Sequence, residues 1–305
     1  MSEAQAYLNG RYLPTAEAVL PVRDGGFVQG TTVAEQMRTF GGRLFRLGDH
    51  IERLFHSLAI VQIDPRHTAG QLCQIAETLV ARNHPLLASG DDLGLAMFVT
   101  PGDYAAMSAR GAAATGPTVC LHTFPLRFDL WADKYLEGQA LATTDVVQVS
   151  ERSWPVELKC RSRMHYFLAD HQAQARHPGS RAVMLDDEGF VTESTTANIV
   201  LYRANEGLLT PPKHKILPGI SLAVLTELAA AMSLPLMERD LRPADIAGAD
   251  EVYLTSTSPC MVPVTRFNGQ EIGAGKPGPM FEKLMAAWNE VVGLDIMAQA
   301  KRFAR

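Results

Sequence analysis

An apolar run, Ala182-Val183-Met184-Leu185, is followed by an Asp/Gly-rich turn, Asp186-Asp187-Glu188-Gly189, and by a returning run, Phe190-Val191-Thr192, that ends on Glu193. Strand, turn and returning strand make a β-hairpin, because glycine and aspartate supply the turn conformations that flanking strands need. After Ser194-Thr195-Thr196-Ala197-Asn198 comes another apolar run, Ile199 to Tyr202. This half of the chain is therefore committed to closely connected strands, and Glu193 lies between strands rather than on an open helical face. A carboxylate in that place is able to keep a heteroaromatic ring nitrogen protonated, which makes the ring a better electron sink. A strand-end glutamate facing water is the plainer alternative.

Lys159 lies upstream, in Val156-Glu157-Leu158-Lys159-Cys160-Arg161-Ser162-Arg163-Met164. Apolar neighbours and nearby cations depress an amine pKa, and an amine serves a carbonyl cofactor only when part of it is uncharged. The chain has seven lysines, so Lys159 alone carries little weight; a lysine is ordinarily a solvated charge. Downstream, Leu217-Pro218-Gly219-Ile220-Ser221 opens a segment, Leu222 to Met232, whose Leu222, Leu225, Leu228 and Ala229 recur at helical spacing. Backbone N–H groups at a helix start, with a hydroxyl and the helix dipole, seat a phosphate; ordinary N-capping reads the same residues without one. A strand, Glu251 to Leu254, then leads into Thr255-Ser256-Thr257-Ser258-Pro259, a second hydroxyl cluster or simply a turn. Lysine, carboxylate and two hydroxyl-bearing turns in this order describe a pyridoxal 5'-phosphate site.

The same order, completed by Pro263-Val264, resembles the class IV (fold-type IV) aminotransferases, a family that includes branched-chain aminotransferases, D-amino acid aminotransferases and aminodeoxychorismate lyase. Asn9-Gly10, Asp24-Gly25-Gly26-Phe27-Val28-Gln29-Gly30 and Leu47-Gly48-Asp49-His50-Ile51-Glu52-Arg53-Leu54 match the family's N-terminal signature. The resemblance covers nearly the whole chain. It implies an α+β, two-domain fold like that of D-amino acid aminotransferase, with the cofactor between the domains. It also implies Lys159 as the Schiff-base lysine, Glu193 as the pyridine-nitrogen partner and Leu217 as the residue packed on the ring. Arg53, Ile220, Ser221 and Thr257 match the phosphate ligands, with Ser256 beside them, and Arg152 falls where many members carry an arginine near the cofactor. The residues agree for Arg53. Ile51, Leu54, Phe55 and Leu58 form the apolar face of a helix capped by Asp49, which leaves His50, Arg53 and Ser57 on a neighbouring stripe.

The departures bear on substrate. Ala34, Gln36 and Arg38 share one face of the strand Val33 to Arg38, which the resemblance places along the substrate pocket together with Ser258. Relatives usually carry an aromatic residue where Ala34 stands, and branched-chain enzymes glycine where Gln36 stands. Met97-Phe98-Val99-Thr100-Pro101-Gly102-Asp103 offers none of the arginine that D-amino acid enzymes place after a strand, which leaves Arg38 to meet a substrate carboxylate or to pair structurally with an acid. Ser162-Arg163-Met164 replaces the Asn-Tyr pair of branched-chain enzymes, and Arg152 is the substitute for that tyrosine at the ring oxygen. Arg161 and Arg163 are read as pointing away from Lys159, on helical spacing.

The expected function is a transaminase moving an amino group between a small-molecule amino donor and a 2-oxo acid acceptor. A lyase resembling aminodeoxychorismate lyase and a cofactor-binding protein without turnover are the alternatives. With 305 residues, 47% hydrophobic and 20% charged, the chain has room for two domains with real cores: an N-terminal α+β domain over 1–123, a linker over 124–133 and a C-terminal α/β domain over 134–305 carrying Lys159. Ala105 to Gly116 reads as a surface loop. A net charge of -5 without a basic stripe argues against nucleic acid. No apolar run spans a bilayer and no signal-peptide pattern opens the chain, so the cytoplasm is expected. Cys73, Cys120, Cys160 and Cys260 lack metal-site spacing, so no metal is expected. The family resemblance implies a homodimer.

Overall fold

The computed structural model describes residues 3–108 and 116–304. They group into two compact units that divide after Leu126, with Leu158–Ser162 joining the first and all other residues from Arg127 onward the second.

The first unit contains strands β1 (Gln5–Leu8) and β2 (Arg11–Pro14), the short helix α1 (Gly25–Val28), strands β3 (Val33–Phe40) and β4 (Arg43–Leu44), helices α2 (Leu47–Val61) and α3 (Ala69–Asn83), and strands β5 (Leu93–Thr100) and β6 (Thr118–Pro125). Its six strands pair antiparallel in the order β2-β1-β6-β5-β3-β4. Alternation along β3 sends Val33 and Met37 into a core with Leu54 and Leu58 of α2, Leu72 and Leu79 of α3, and Leu95 and Met97 of β5. Helix α2 starts earlier than its sequence suggests. Arg46, in a left-handed conformation, occupies the N-cap, and Asp49 lies in the first turn with Arg46 Nη1 at 3.4 Å. Asp49 thus meets the positive end of the helix as a charge rather than as the cap. Of the expected loop Ala105 to Gly116, Ala105–Met107 forms a single 3-10 turn, and residues 109–115 lie outside the described residues.

The segment bearing Lys159 is extended, not helical. Cys160 forms an antiparallel bridge with Val33, the Ala34 N–H donates to Lys159 O at 3.0 Å, and the Arg161 N–H donates to Thr32 O at 2.8 Å. Helical spacing therefore does not separate Arg161 from Lys159. Leu158 packs on the core of the first unit. Arg163, by contrast, precedes the helix that begins at Met164.

The second unit holds helix α4 (Lys134–Glu137), strand β7 (Gln139–Thr143), helix α5 (Met164–Arg176), strands β8 (Ser180–Leu185), β9 (Val191–Ser194), β10 (Ala197–Arg203) and β11 (Gly207–Thr210), and helix α6 (Ile220–Ala231). It continues with strand β12 (Leu236–Glu238), helix α7 (Pro243–Ala247), strands β13 (Glu251–Ser256), β14 (Cys260–Phe267) and β15 (Gln270–Glu271), and helices α8 (Pro279–Val292) and α9 (Ile296–Phe303). The strands run β12-β11-β10-β13-β14-β7-β8-β9, and β9 also pairs with β10. The path from β10 through β13, β14, β7, β8 and β9 therefore closes on itself, and Glu193 and Asn198 are paired at the closure. The β8–β9 hairpin turns where expected: Asp186 Oδ1 accepts from the Glu188 and Phe190 N–H groups, and Gly189 adopts a φ of 79° that other residues resist. The stretch read as a linker is packed, because Phe128 and Trp131 are buried and Phe128 meets the Phe303 ring at 6.1 Å.

Candidate active site

In the first unit the expected stripe of α2 is directed inward. His50, Arg53 and Ser57 are all buried. Arg53 donates from Nε to Glu35 Oε1 at 2.7 Å and from Nη2 to Glu35 Oε2 at 2.8 Å, a two-point fork. His50 Nδ1 lies 2.8 Å from Glu35 Oε2. Ser57 Oγ accepts the Lys159 N–H at 3.1 Å, which ties the lysine segment to the same helix. Burial pushes the Glu35 carboxyl up, but the hydrogen bonds from Arg53 and His50, with the charges of Arg53 and Lys159, outweigh it and hold the group at about 2. Burial also depresses His50 more than the Glu35 hydrogen bond raises it, so the imidazole is neutral and its Nδ1–H donates to the carboxylate. Lys159 thus stands near a buried cluster of one anion, one cation and one neutral ring. Glu35 is the member the sequence did not suggest. Its place on β3 beside Ala34 and Gln36 was visible, but its partners lie 15 and 18 residues away.

On the other face of β3, Ala34 is buried and Gln36 half-buried. Arg38 is 1% exposed, stacks its guanidinium 3.9 Å from the Phe40 ring centroid and donates from Nε to Thr39 O at 3.1 Å. These contacts set the guanidinium beside Phe40 of the same strand.

In the second unit Glu193 is 5% exposed, and three donors converge on it. Tyr166 of α5 donates its O–H to Oε1, Gln148 Nε2 donates to the same oxygen at 2.9 Å, and the Leu217 N–H reaches Oε2 at 3.4 Å. Tyr166 and Gln148 were not singled out from sequence. Asn198, paired with Glu193 across the β9–β10 closure, donates Nδ2 to Leu217 O at 2.9 Å. It thereby fixes the turn that enters α6, with Gly219 as N-cap and Ile220 and Ser221 in the first turn. A Cβ on Gly219 would lie 1.9 Å from Asn198 Oδ1, so a larger residue there has to push the Asn198 side chain aside. Thr255 faces Asn198 across the β10–β13 pairing, and its Oγ1 is buried without a hydrogen-bond partner among the described residues. A helix start with outward N–H groups, a buried Ser221, a close-packed Gly219 turn and an orphaned hydroxyl fit a phosphate group. Ser256 donates to Thr196 O at 3.2 Å, while Thr257 and Ser258 form the turn between β13 and β14. Arg152 lies in an exposed turn, its N–H 3.3 Å from Ser150 Oγ.

Among the described residues, no cluster of histidine, cysteine or carboxylate side chains has a metal-holding arrangement, and no helix is long and apolar enough to cross a membrane.

The fold places the chain with two-domain enzymes of mixed α/β architecture. The branched-chain amino acid aminotransferase of Thermobaculum terrenum, solved in its PLP-form, superposes with a TM-score of 0.81 over 99% of this chain and 96% of its own, at 24% identity. The sequence profile of the class IV aminotransferases matches residues 32–267. The chain belongs to the class IV aminotransferase family. It is 29% identical to a D-alanine aminotransferase of Bacillus licheniformis, over 92% of this chain and 94% of that relative. It is also 29% identical to a putative branched-chain-amino-acid aminotransferase of Methanocaldococcus jannaschii, over 93% and 95%. Two relatives named for different substrates are equally similar, so overall identity does not choose between them.

Proposed function

We propose that this protein is a pyridoxal 5'-phosphate-dependent transaminase that moves an amino group between an amino acid or amine and a 2-oxo acid. The observation that carries the reading is Glu193, a buried carboxylate held by three donors beside a helix start suited to a phosphate. When bound, pyridoxal phosphate supplies a carbonyl carbon that an amine joins and a ring that withdraws electrons. Glu193 keeps the ring nitrogen protonated. Ile220, Ser221 and Thr257 would hold the phosphate, with Ser256 beside them, and Leu217 would pack against the ring. Arg53 presents five N–H donors, enough to serve Glu35 and an anion together. Lys159 carries the cofactor between turnovers, then takes a proton from the substrate α-carbon as base and returns one as acid. Ala34, Gln36, Arg38 and Ser258 shape substrate recognition. A cytoplasmic homodimer completes the reading, and it would cover the exposed apolar side chains Met164, Phe167 and Leu168 of α5.

An amino-donor screen with pyruvate and 2-oxoglutarate as acceptors, followed by chiral analysis of the products, tests this. New amino acid formed in proportion to keto acid released supports transamination. Pyruvate or ammonia released without a 2-oxo acid acceptor points to a lyase instead.

A further inference from the structure

Glu193 has two neighbours whose chemistry the reaction assignment leaves unused. Tyr166 and Gln148 both donate to Oε1 of the carboxylate, and Gln148 Nε2 lies 3.5 Å from the Tyr166 hydroxyl, so the three side chains form one connected group. The orientation of the glutamine is fixed. Its Oε1 accepts the Val149 N–H at 3.2 Å, which leaves Nε2 as the end that faces Glu193, and its backbone N–H donates to Leu185 O at 2.8 Å. The direction of the tyrosine bond is fixed too. Burial and the adjacent Glu193 charge push the Tyr166 phenol well above its ordinary range, so it remains an O–H donor throughout the working pH range. The two donors sit 27 and 45 residues from Glu193 in sequence, one on the first turn of α5 and one after β7, yet both meet the same oxygen.

Resting on the transaminase reading, we infer that Tyr166 and Gln148 are positioning residues that set the orientation and basicity of Glu193 towards the cofactor's ring nitrogen. Hydrogen bonds to a carboxylate draw off its charge and weaken it as a base. With Oε1 supplied from the protein, the proton shared by carboxylate and ring stays on the ring nitrogen, where it is needed for electron withdrawal. The two donors also prevent the carboxylate from rotating. The competing explanation is satisfaction of a buried acid, with no effect beyond folding.

The experiment is a pH titration of the visible absorbance of the holoenzyme, with steady-state kinetics, for wild type, Tyr166→Phe, Glu193→Gln and the double variant. Tyr166→Phe is expected to shift the midpoint of the bound chromophore by about one pH unit and to lower kcat about tenfold, the loss of one hydrogen bond to a charged group. KM for the amino donor should stay within about twofold. Adding Tyr166→Phe to Glu193→Gln should change neither midpoint nor kcat further, because the tyrosine acts through the carboxylate. Gln148→Met carries the same readouts should Tyr166→Phe not fold. An unshifted midpoint with wild-type kcat, or losses that add in the double variant, would overturn the inference while leaving the transaminase reading standing. A wild-type protein with neither a bound chromophore nor transamination would overturn both.

Discussion

The backbone of Lys159, the proposed Schiff-base residue, is held on both sides. Its N–H is fixed by Ser57 and its carbonyl by Ala34, and its charge lies near Glu35, Arg53 and His50. Borohydride treatment of the holoenzyme should therefore fix the cofactor to a single peptide containing Lys159, and label on any other lysine would remove the assignment. Lys159→Ala should lose at least about a hundredfold in kcat, the ordinary contribution of a general base, while its melting temperature stays close to that of wild type, because the side chain is only half-buried. Glu193→Gln keeps the shape of the side chain but not its charge. It should retain the cofactor, since the proposed phosphate seat is built from other residues, and should lose turnover because the ring is no longer held protonated. Unchanged kcat with weakened cofactor affinity, measured by dialysis, would recast Glu193 as a structural residue.

At the scale of elements, the helix start at α6 makes the sharpest claim. Asn198 from β10 fills the space above Gly219, so Gly219→Ala forces a side chain into an occupied position 1.9 Å away. Overpacking of this kind costs about 1–3 kcal/mol, and here the displaced group is the one that holds the Leu217 carbonyl. Cofactor affinity should fall at least about tenfold, the equivalent of 1.4 kcal/mol, and wild-type affinity in a fluorescence titration would show that the turn does not seat the phosphate. Elements of this kind were largely legible in the sequence. The β8–β9 hairpin and α6 follow from local turn residues and helical spacing, and His50, Arg53 and Ser57 emerged as one stripe because three- and four-residue steps return to the same side of a helix. What escaped were contacts that need a pairing. Asn198 became relevant only when the β9–β10 closure set it opposite Glu193. The Lys159 segment was read at helical spacing although Leu158-Lys159-Cys160-Arg161 alternates apolar and charged residues, the period of a strand. Its strand partner, near Val33, lies too far along the chain for local pattern to reveal.

For the molecule as a whole, the buried cluster of Glu35, His50 and Arg53 makes the first unit sensitive to acid in a definite direction. Glu35 is held at about 2 in the folded protein against an ordinary 4.5. A depressed carboxyl contributes stability that is fully present above pH 4.5 and is lost as pH falls towards 2, because the unfolded chain takes up the proton first; the contribution is about 3 kcal/mol. His50 acts with the same sign at higher pH. Its folded pKa lies below the ordinary 6.5, so the unfolded chain gains a proton there as the solution is acidified and stability begins to decline below that value. Differential scanning calorimetry across this range should show the transition of the first unit falling from about pH 6.5 downward, and more steeply below about pH 4.5. Glu35→Gln should lower that transition at neutral pH, since it leaves the Arg53 guanidinium buried without its anion. The same variant should have a shallower decline below pH 4.5 than wild type, because the group that titrates there is gone. A Glu35→Gln protein with an acid limb as steep as that of wild type would show that other carboxyls set the acid stability of the unit, and that the cluster beside Lys159 is not where protons are taken up on unfolding.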